Sequence, residues 1–277
     1  MNETEEVLTP IVIVGARGRM GKALICQVVA SDHLVLDGAV DRSGGSGRGV
    51  DAGVLAGLHQ IGVTVTDSLR PRRQTVVVDF SLPEATQNNI RRCLEARVPL
   101  VLGTTGISKE TVALLREAAK TIPIVSAANF SVGITLLTKL AGLAARALGT
   151  DWNAEIFELH HKHKRDAPSG TALRIGKAVA KATDRVFQDV LTTDRSSTHS
   201  TPRGKDEIGI VAARGGDSAG EHTLMFLADG ERLELTHRAG DRAIFARGAL
   251  RAAQWIADRE PGLYDMSDVL GLSTLTV

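Results

Sequence analysis

Pro10-Ile11-Val12-Ile13-Val14-Gly15-Ala16-Arg17-Gly18-Arg19-Met20-Gly21 is the stretch that decides the architecture. Four apolar residues in an unbroken run suit a strand buried on both faces, since a half-exposed strand would alternate with polar residues. Three glycines spaced Gly-x-x-Gly-x-x-Gly follow at once. Lys22-Ala23-Leu24-Ile25-Cys26-Gln27-Val28-Val29 then carries its apolar residues at helical period. Leu34 to Val40 reads as a second strand and closes on Asp41-Arg42. Strand, glycine turn, helix, strand is the order of a dinucleotide-binding unit, in which a tight turn brings backbone and a helix start against pyrophosphate. The glycine spacing departs from the commoner Gly-x-Gly-x-x-Gly, so the order of elements carries more weight than the motif. Asp41 stands where an acid reaches ribose hydroxyls, and Arg42 beside it suits a 2′-phosphate, so NADH and NADPH both stay open.

The alternation continues outward from that unit. Thr75–Phe80, Pro99–Leu102 and Ile122–Val125 read as further buried strands. Helical patterns follow the first two, through Leu94 and Lys120, and another leaves Gly133. The strands end in small and hydroxyl residues at Ser81, at Gly103-Thr104-Thr105-Gly106 and at Ser126-Ala127-Ala128-Asn129-Phe130. Ligands of open parallel sheets collect at the strand carboxyl ends, so these loops form one candidate edge.

Glu155 to Thr171, Glu-Ile-Phe-Glu-Leu-His-His-Lys-His-Lys-Arg-Asp-Ala-Pro-Ser-Gly-Thr, starts a different architecture. It begins as a strand, turns basic from His160 to Arg165, is stopped by Pro168 and restarts as a helix that Ser169 or Thr171 can cap. Cations facing a helix start make a site for carboxylates, and a histidine there suits acid/base work. A metal is the other option: His161 and His163 would share a face if the strand continued, but no further ligands complete the set, so no metal is expected. The basic run has no interleaved aromatics, which argues against nucleic acid. Beyond it, Ile208–Ala212, Glu221–Leu227 and Arg232–His237 read as strands of a mixed or antiparallel sheet, with Thr192 to Gly204 a long mobile loop. A helix through Ile256 and the last apolar residues are expected to return to the first domain.

The fold class expected is therefore α/β, a Rossmann-type parallel-sheet domain (residues 1–130 with 241–277) carrying an inserted α+β domain with a mixed sheet (131–240). A net charge of +1 on 277 residues, 43% of them hydrophobic and 3% aromatic, describes an ordinary globular chain with an aliphatic core. Cys26 and Cys93 sit in apolar helical patterns and read as free thiols. The acidic start is unlike an export signal and no apolar run spans a bilayer, so a cytoplasmic protein without membrane contact is expected. Residues 1–9 read as a loose tail without an assigned role.

Taken together, these motifs resemble the 4-hydroxy-tetrahydrodipicolinate (dihydrodipicolinate) reductase family of the diaminopimelate route to lysine. The resemblance rests on Gly15–Gly21, Gly103–Gly106, Ala128–Ser131, Gly216-Asp217 with Gly220–Thr223, and above all Glu158–Lys164 with Asp166–Thr171. It implies NAD(P)H-dependent reduction of a conjugated cyclic imine. His160 is implied as the proton donor, Lys164 as a second donor or stabiliser, and His161, Gly170 and Thr171 as carboxylate binders. Gly15, Ala16, Arg17, Gly18, Arg19, Met20, Asp41, Arg42, Gly103, Thr104, Thr105, Ala127, Ala128, Asn129 and Phe130 match the cofactor positions. The family fold implies a homotetramer through the inserted domain, with closure about linkers near 130 and 240. Two other classes compete. An amino-acid-type NAD(P) dehydrogenase would share the first domain without needing the 160–171 block, and a dinucleotide sensor would not need the acid/base residues.

Overall fold

A computed structural model describes residues 8–42, 44, 48–195 and 202–275. Most of the expected tail, part of the glycine-rich loop 43–49 and the centre of the loop 192–204 lie outside the described residues. The chain divides into two compact units: one takes the chain through Val132 together with Arg242–Gly271, the other Gly133–Asp241 with the chain from Leu272 on.

The first unit runs β1 (Thr9–Val14), α1 (Arg19–Val29), β2 (Leu34–Val40), α2 (Ala52–Ala56), β3 (Val65–Thr66), β4 (Val76–Asp79), α3 (Pro83–Ala96), β5 (Leu100–Leu102), α4 (Lys109–Ala118) and β6 (Pro123–Ser126). The second unit holds most of α5 (Val132–Leu148), then β7 (Asn153–His160), α6 (Gly170–Ala182), α7 (Phe187–Val190), β8 (Leu191–Thr192), β9 (Ile208–Arg214), β10 (Glu221–Ala228) and β11 (Glu231–Arg238). The chain then returns to the first unit with α8 (Ala243–Ile256), β12 (Gly262–Tyr264) and α9 (Met266–Val269).

Seven parallel strands form the first sheet in the order β12-β6-β5-β4-β1-β2-β3. The order reverses between β1 and β4, which is where such sheets bind dinucleotides. Both faces are covered, which explains the unbroken apolar runs. Leu24, Ile25 and Val28 of α1 and Ala249, Ala253 and Ile256 of α8 pack with Ile11 and Ile13. Ile90 and Cys93 of α3 and Leu115 of α4 pack with Val12, Val77 and Leu100 on the other face. Three short pieces escape sequence reading. α2 has only 5 residues and β3 only 2, too few for a periodicity, and β12 has only 3 and lies at the sheet edge beside β6.

The second unit is a mixed five-stranded sheet, β11-β10-β7-β9-β8, with β7 parallel to β9 and antiparallel to β10. Its core joins Leu137 and Ala141 of α5 and Ile175 and Val179 of α6 to Ile156, Ile210, Leu224 and Phe226 of the sheet. Along β7, Ala154, Ile156, Glu158 and His160 face inward, and Phe157 is exposed.

Gly21 shows why the third glycine of the turn is needed. A Cβ there would lie 2.2 Å from the Gly15 carbonyl oxygen and 2.7 Å from Ala16 Cα, both backbone atoms that cannot swing aside. Gly21→Ala should therefore cost about 1–3 kcal/mol of stability, seen as a lower urea midpoint; an unchanged midpoint would mean that α1 does not depend on this approach.

Candidate active site

The loops after β1, β4, β5 and β6 each bond to the end of a neighbouring strand. Gly15 and Ala16 N–H donate to Val40 O (2.9 and 3.1 Å), Phe80 N–H to Val14 O (3.1 Å), Gly103 N–H to Asp79 O (2.8 Å) and Ala127 N–H to Leu102 O (3.1 Å). These bonds extend the ladders past the strand ends and set the expected cofactor loops side by side along one edge. Asp41 is fixed there too: its carboxylate accepts the N–H of Arg17 (2.8 Å) and of Arg42 (2.9 Å). α1 starts at Gly18 without a side-chain cap, which leaves first-turn N–H groups for a ligand. The Phe130 ring is buried in the core against Phe80, 5.4 Å between centroids, so what it can offer a ligand is backbone.

Asp79 organises this edge and was not singled out from sequence. It is fully buried at the end of β4 and accepts from Ser81 N–H (2.8 Å), Asn89 Nδ2 (2.9 Å) and Thr104 Oγ1 (3.4 Å). Burial pushes its carboxyl up from the usual carboxylate range, against the pull of those hydrogen bonds. The available signal was a lone acid closing an otherwise all-valine strand.

In the second unit β7 ends at His160, and 161–168 is irregular. His161 and His163 are therefore not strand neighbours on one face. His161 Nδ1 instead accepts the His163 N–H at 3.2 Å, and among the described residues no three His, Cys, Asp or Glu side chains group as a metal site. The turn is laid along the 215–218 loop by His161 N–H to Ser218 O (2.9 Å), Gly215 N–H to His160 O (2.9 Å) and Lys162 N–H to Gly216 O (3.2 Å). Lys164 Nζ reaches both Asp166 carboxylate oxygens at 2.8 Å, and this bond with the lysine charge holds the Asp166 carboxyl below its ordinary range. Ser169, not Thr171, caps α6: its Oγ accepts the Ala172 N–H at 3.1 Å. Gly170 and Thr171 form the first turn, Gly170 exposed and Thr171 half-buried.

His160 is 8% exposed and carries the densest contacts. Its Nδ1 lies 2.5 Å from Glu158 Oε2, and its ring meets His222 edge-on at 5.2 Å. Glu158 is wholly buried and also takes both Arg214 Nη atoms (2.8 and 2.9 Å) and the Ser169 N–H (3.0 Å). Burial raises this carboxyl, yet the bonds from Arg214, His160 and Ser169 outweigh it and hold the group below the usual carboxylate range. His222, bonded through Nε2 to Ser169 Oγ at 3.0 Å, is drawn down to about 4 by burial first and by the charge of His160 next, so it is neutral at pH 7. Sequence alone gives Glu158, Arg214 and His222 no role. Their signal was period-2 placement: an acid and an imidazole at i, i+2 on a core-facing strand must find partners.

Comparison with known proteins identifies the lineage. The family model for the N-terminal part of dihydrodipicolinate reductase matches residues 9–130, and that for the C-terminal part matches 133–270. The chain belongs to the dihydrodipicolinate reductase family. The 4-hydroxy-tetrahydrodipicolinate reductase of Pseudomonas fluorescens strain Pf0-1 is 49% identical over 265 residues, covering 95% of this chain and 98% of that protein. That of Alkalilimnicola ehrlichii is 48% identical over 266 residues, covering 95% and 99%. Among solved structures, dipicolinate-bound dihydrodipicolinate reductase from Paenisporosarcina sp. TG-14 superposes with a TM-score of 0.72 at 23% identity, covering 94% of this chain and 98% of that one. An amine dehydrogenase from Mycobacterium smegmatis reaches 0.62 at 16% identity, covering 92% and 94%, which is a likeness of fold. Membership makes this chain an oxidoreductase that uses a nicotinamide dinucleotide.

One backbone position makes room for the His160 ring. Gly220 has φ +142°, and a Cβ there would lie 2.8 Å from His160 Nε2. Gly220→Ala should cut turnover at least about tenfold in a protein that still folds; wild-type turnover would show that Nε2 does not need this clearance.

Proposed function

We infer that this family member reduces 4-hydroxy-tetrahydrodipicolinate to tetrahydrodipicolinate with NADH or NADPH, in lysine biosynthesis by the diaminopimelate route. The observation that carries the reading is the buried Glu158–His160 pair beside a helix start and a lysine. It combines a proton donor with anion-binding groups in one unit of a chain that otherwise builds a nucleotide edge.

The substrate is a cyclic dicarboxylate, and loss of its hydroxyl as water leaves a conjugated imine. A bound reduced nicotinamide supplies the hydride. His160 then delivers a proton from Nε2 to the adjacent ring carbon, its Nδ1 being committed to Glu158. The first-turn amides of α6 at Gly170 and Thr171, with His161, receive carboxylate oxygens. Lys164 already holds a carboxylate, that of the exposed Asp166, and exchanges it for one of the substrate's.

The loops of the first unit suit the nucleotide. Gly15–Met20 and the uncapped start of α1 receive the pyrophosphate, Asp41 the adenosine ribose and Arg42 a 2′-phosphate when one is present. Gly103–Thr105 and Ala127–Phe130 receive the nicotinamide half. Self-association fits the second sheet, whose open face aligns Thr236, Thr223, Phe157 and Val211 in one row, with Phe157 41% and Val211 53% exposed. That open face, with Phe157 and Val211 at its centre and charged residues in the rows beside them, is the contact through which copies would assemble as a homotetramer. No helix among the described residues is long and apolar enough to cross a membrane, and a reductase fed by the NAD(P)H pool belongs in the cytoplasm.

His160→Gln should lower kcat on the order of a hundredfold while NAD(P)H affinity, followed by fluorescence titration, stays at the wild-type value. Weakened cofactor binding with kcat retained would place His160 elsewhere. Arg42→Ala should reduce kcat/KM with NADPH by about tenfold more than with NADH; an equal loss with both would mean that Arg42 does not read the phosphate.

A further inference from the structure

Resting on the reading of His160 as the acid, we propose that Glu158 is a positioning residue for proton transfer. Its buried carboxylate, clamped by Arg214, fixes the His160 ring with Nδ1 inward and Nε2 outward, and the same carboxylate holds the start of the substrate-binding helix through the Ser169 N–H.

Valence limits what Glu158 can hold. A carboxylate has two oxygens and room for about four donors, and Glu158 has four. Oε2 takes His160 Nδ1 at 2.5 Å and Arg214 Nη1 at 2.8 Å; Oε1 takes Arg214 Nη2 at 2.9 Å and Ser169 N at 3.0 Å. The carboxylate only accepts, so Nδ1 of His160 keeps its proton whatever the charge on the ring. The proton that comes and goes is then the one on Nε2, the nitrogen beside Gly220. Carboxylate-bound imidazoles in other sites are set in tautomer and orientation by the same means.

Three elements converge on this one group: β7 supplies Glu158 and His160, β9 supplies Arg214, and α6 begins at Ser169. Arg214 also donates to the Asp166 carbonyl, so the turn carrying Lys164 is tied to the same clamp. Around the His160 ring stand Glu158 on its own strand, Arg214 on β9 and His222 on β10, and His237 of β11 and Lys164 of the turn lie within electrostatic reach of His222. Asp166 is engaged by Lys164 and Glu221 by Arg238. Glu158 is thus the carboxylate bonded to the ring. His222, neutral and bonded to Ser169, packs against the ring edge without adding charge at neutral pH.

A buried ion pair with a merely structural role would alter stability and leave the proton-transfer step alone. The test uses the full-length enzyme with Glu158→Gln, His160→Gln and the double variant, each checked for wild-type NAD(P)H affinity. Glu158→Gln should lower kcat about 10–100-fold with KM changed far less. The double variant should turn over no more slowly than His160→Gln, since residues that act as one unit are not additive. Wild-type kcat in Glu158→Gln, or additive losses in the double variant, would overturn the proposal. An unaffected kcat in His160→Gln would instead overturn the reading on which it rests. Should Glu158→Gln fail to fold, nitrogen-15 NMR of wild-type imidazoles at high pH decides: the neutral His160 ring should carry its proton on Nδ1, and a proton on Nε2 with Nδ1 bare would overturn the proposal.

Discussion

A fully buried carboxylate is expensive to leave without partners, and the second unit is arranged so that Glu158 never is. Removing one partner of a buried charge typically costs about 3–5 kcal/mol, because the other stays dehydrated and uncompensated. Arg214, His160 and Ser169 therefore cannot move independently. The ends of β7 and β9 and the start of α6 are fixed relative to one another by one side chain, and those are the pieces that carry the residues proposed as proton donor and anion binders. The sign of the Glu158 shift agrees: its folded value lies below the usual one, so its contribution to stability is present at neutral pH and is lost as pH falls through that value.

The first unit solves a different problem with backbone. Its glycine turn, the end of β2 and the loops after β4, β5 and β6 are joined by main-chain hydrogen bonds that continue the sheet beyond its strands. The buried Asp79 sets the Ser81 and Thr104 loops from beneath, as Glu158 sets His160 and Ser169 in the other unit. In both units an acid at or near a strand end, dehydrated and bonded by several donors, holds the loops proposed to bind ligand.

Much of this was legible in the sequence because the signals are local. Most of the buried parallel strands announce themselves as unbroken aliphatic runs, and Leu34–Val40 is bounded as expected although Asp37 and Gly38 interrupt its apolar residues. The short β3, β8 and β12 were not legible, since two or three residues carry no periodicity and their pairing is decided by the sheet edge they meet. Of the candidate site, the expected proton donor, lysine and helix start are one contiguous motif. The clamp around the histidine is not: Arg214 and His222 come from strands more than fifty residues away, and only the sheet register places them beside Glu158 and His160. The ion pair of Lys164 with Asp166 also needs the turn's three-dimensional path, because spacing alone does not say which acid the lysine takes.

The most direct measurement is a crystal structure of the protein with pyridine-2,6-dicarboxylate, a planar stand-in for the substrate. One carboxylate should sit on the Gly170 and Thr171 amides, with Lys164 shifted from Asp166 toward the ligand and His160 Nε2 facing the ring while Nδ1 stays on Glu158. A ligand seated away from α6, or a His160 ring turned so that Nε2 meets Glu158, would contradict it.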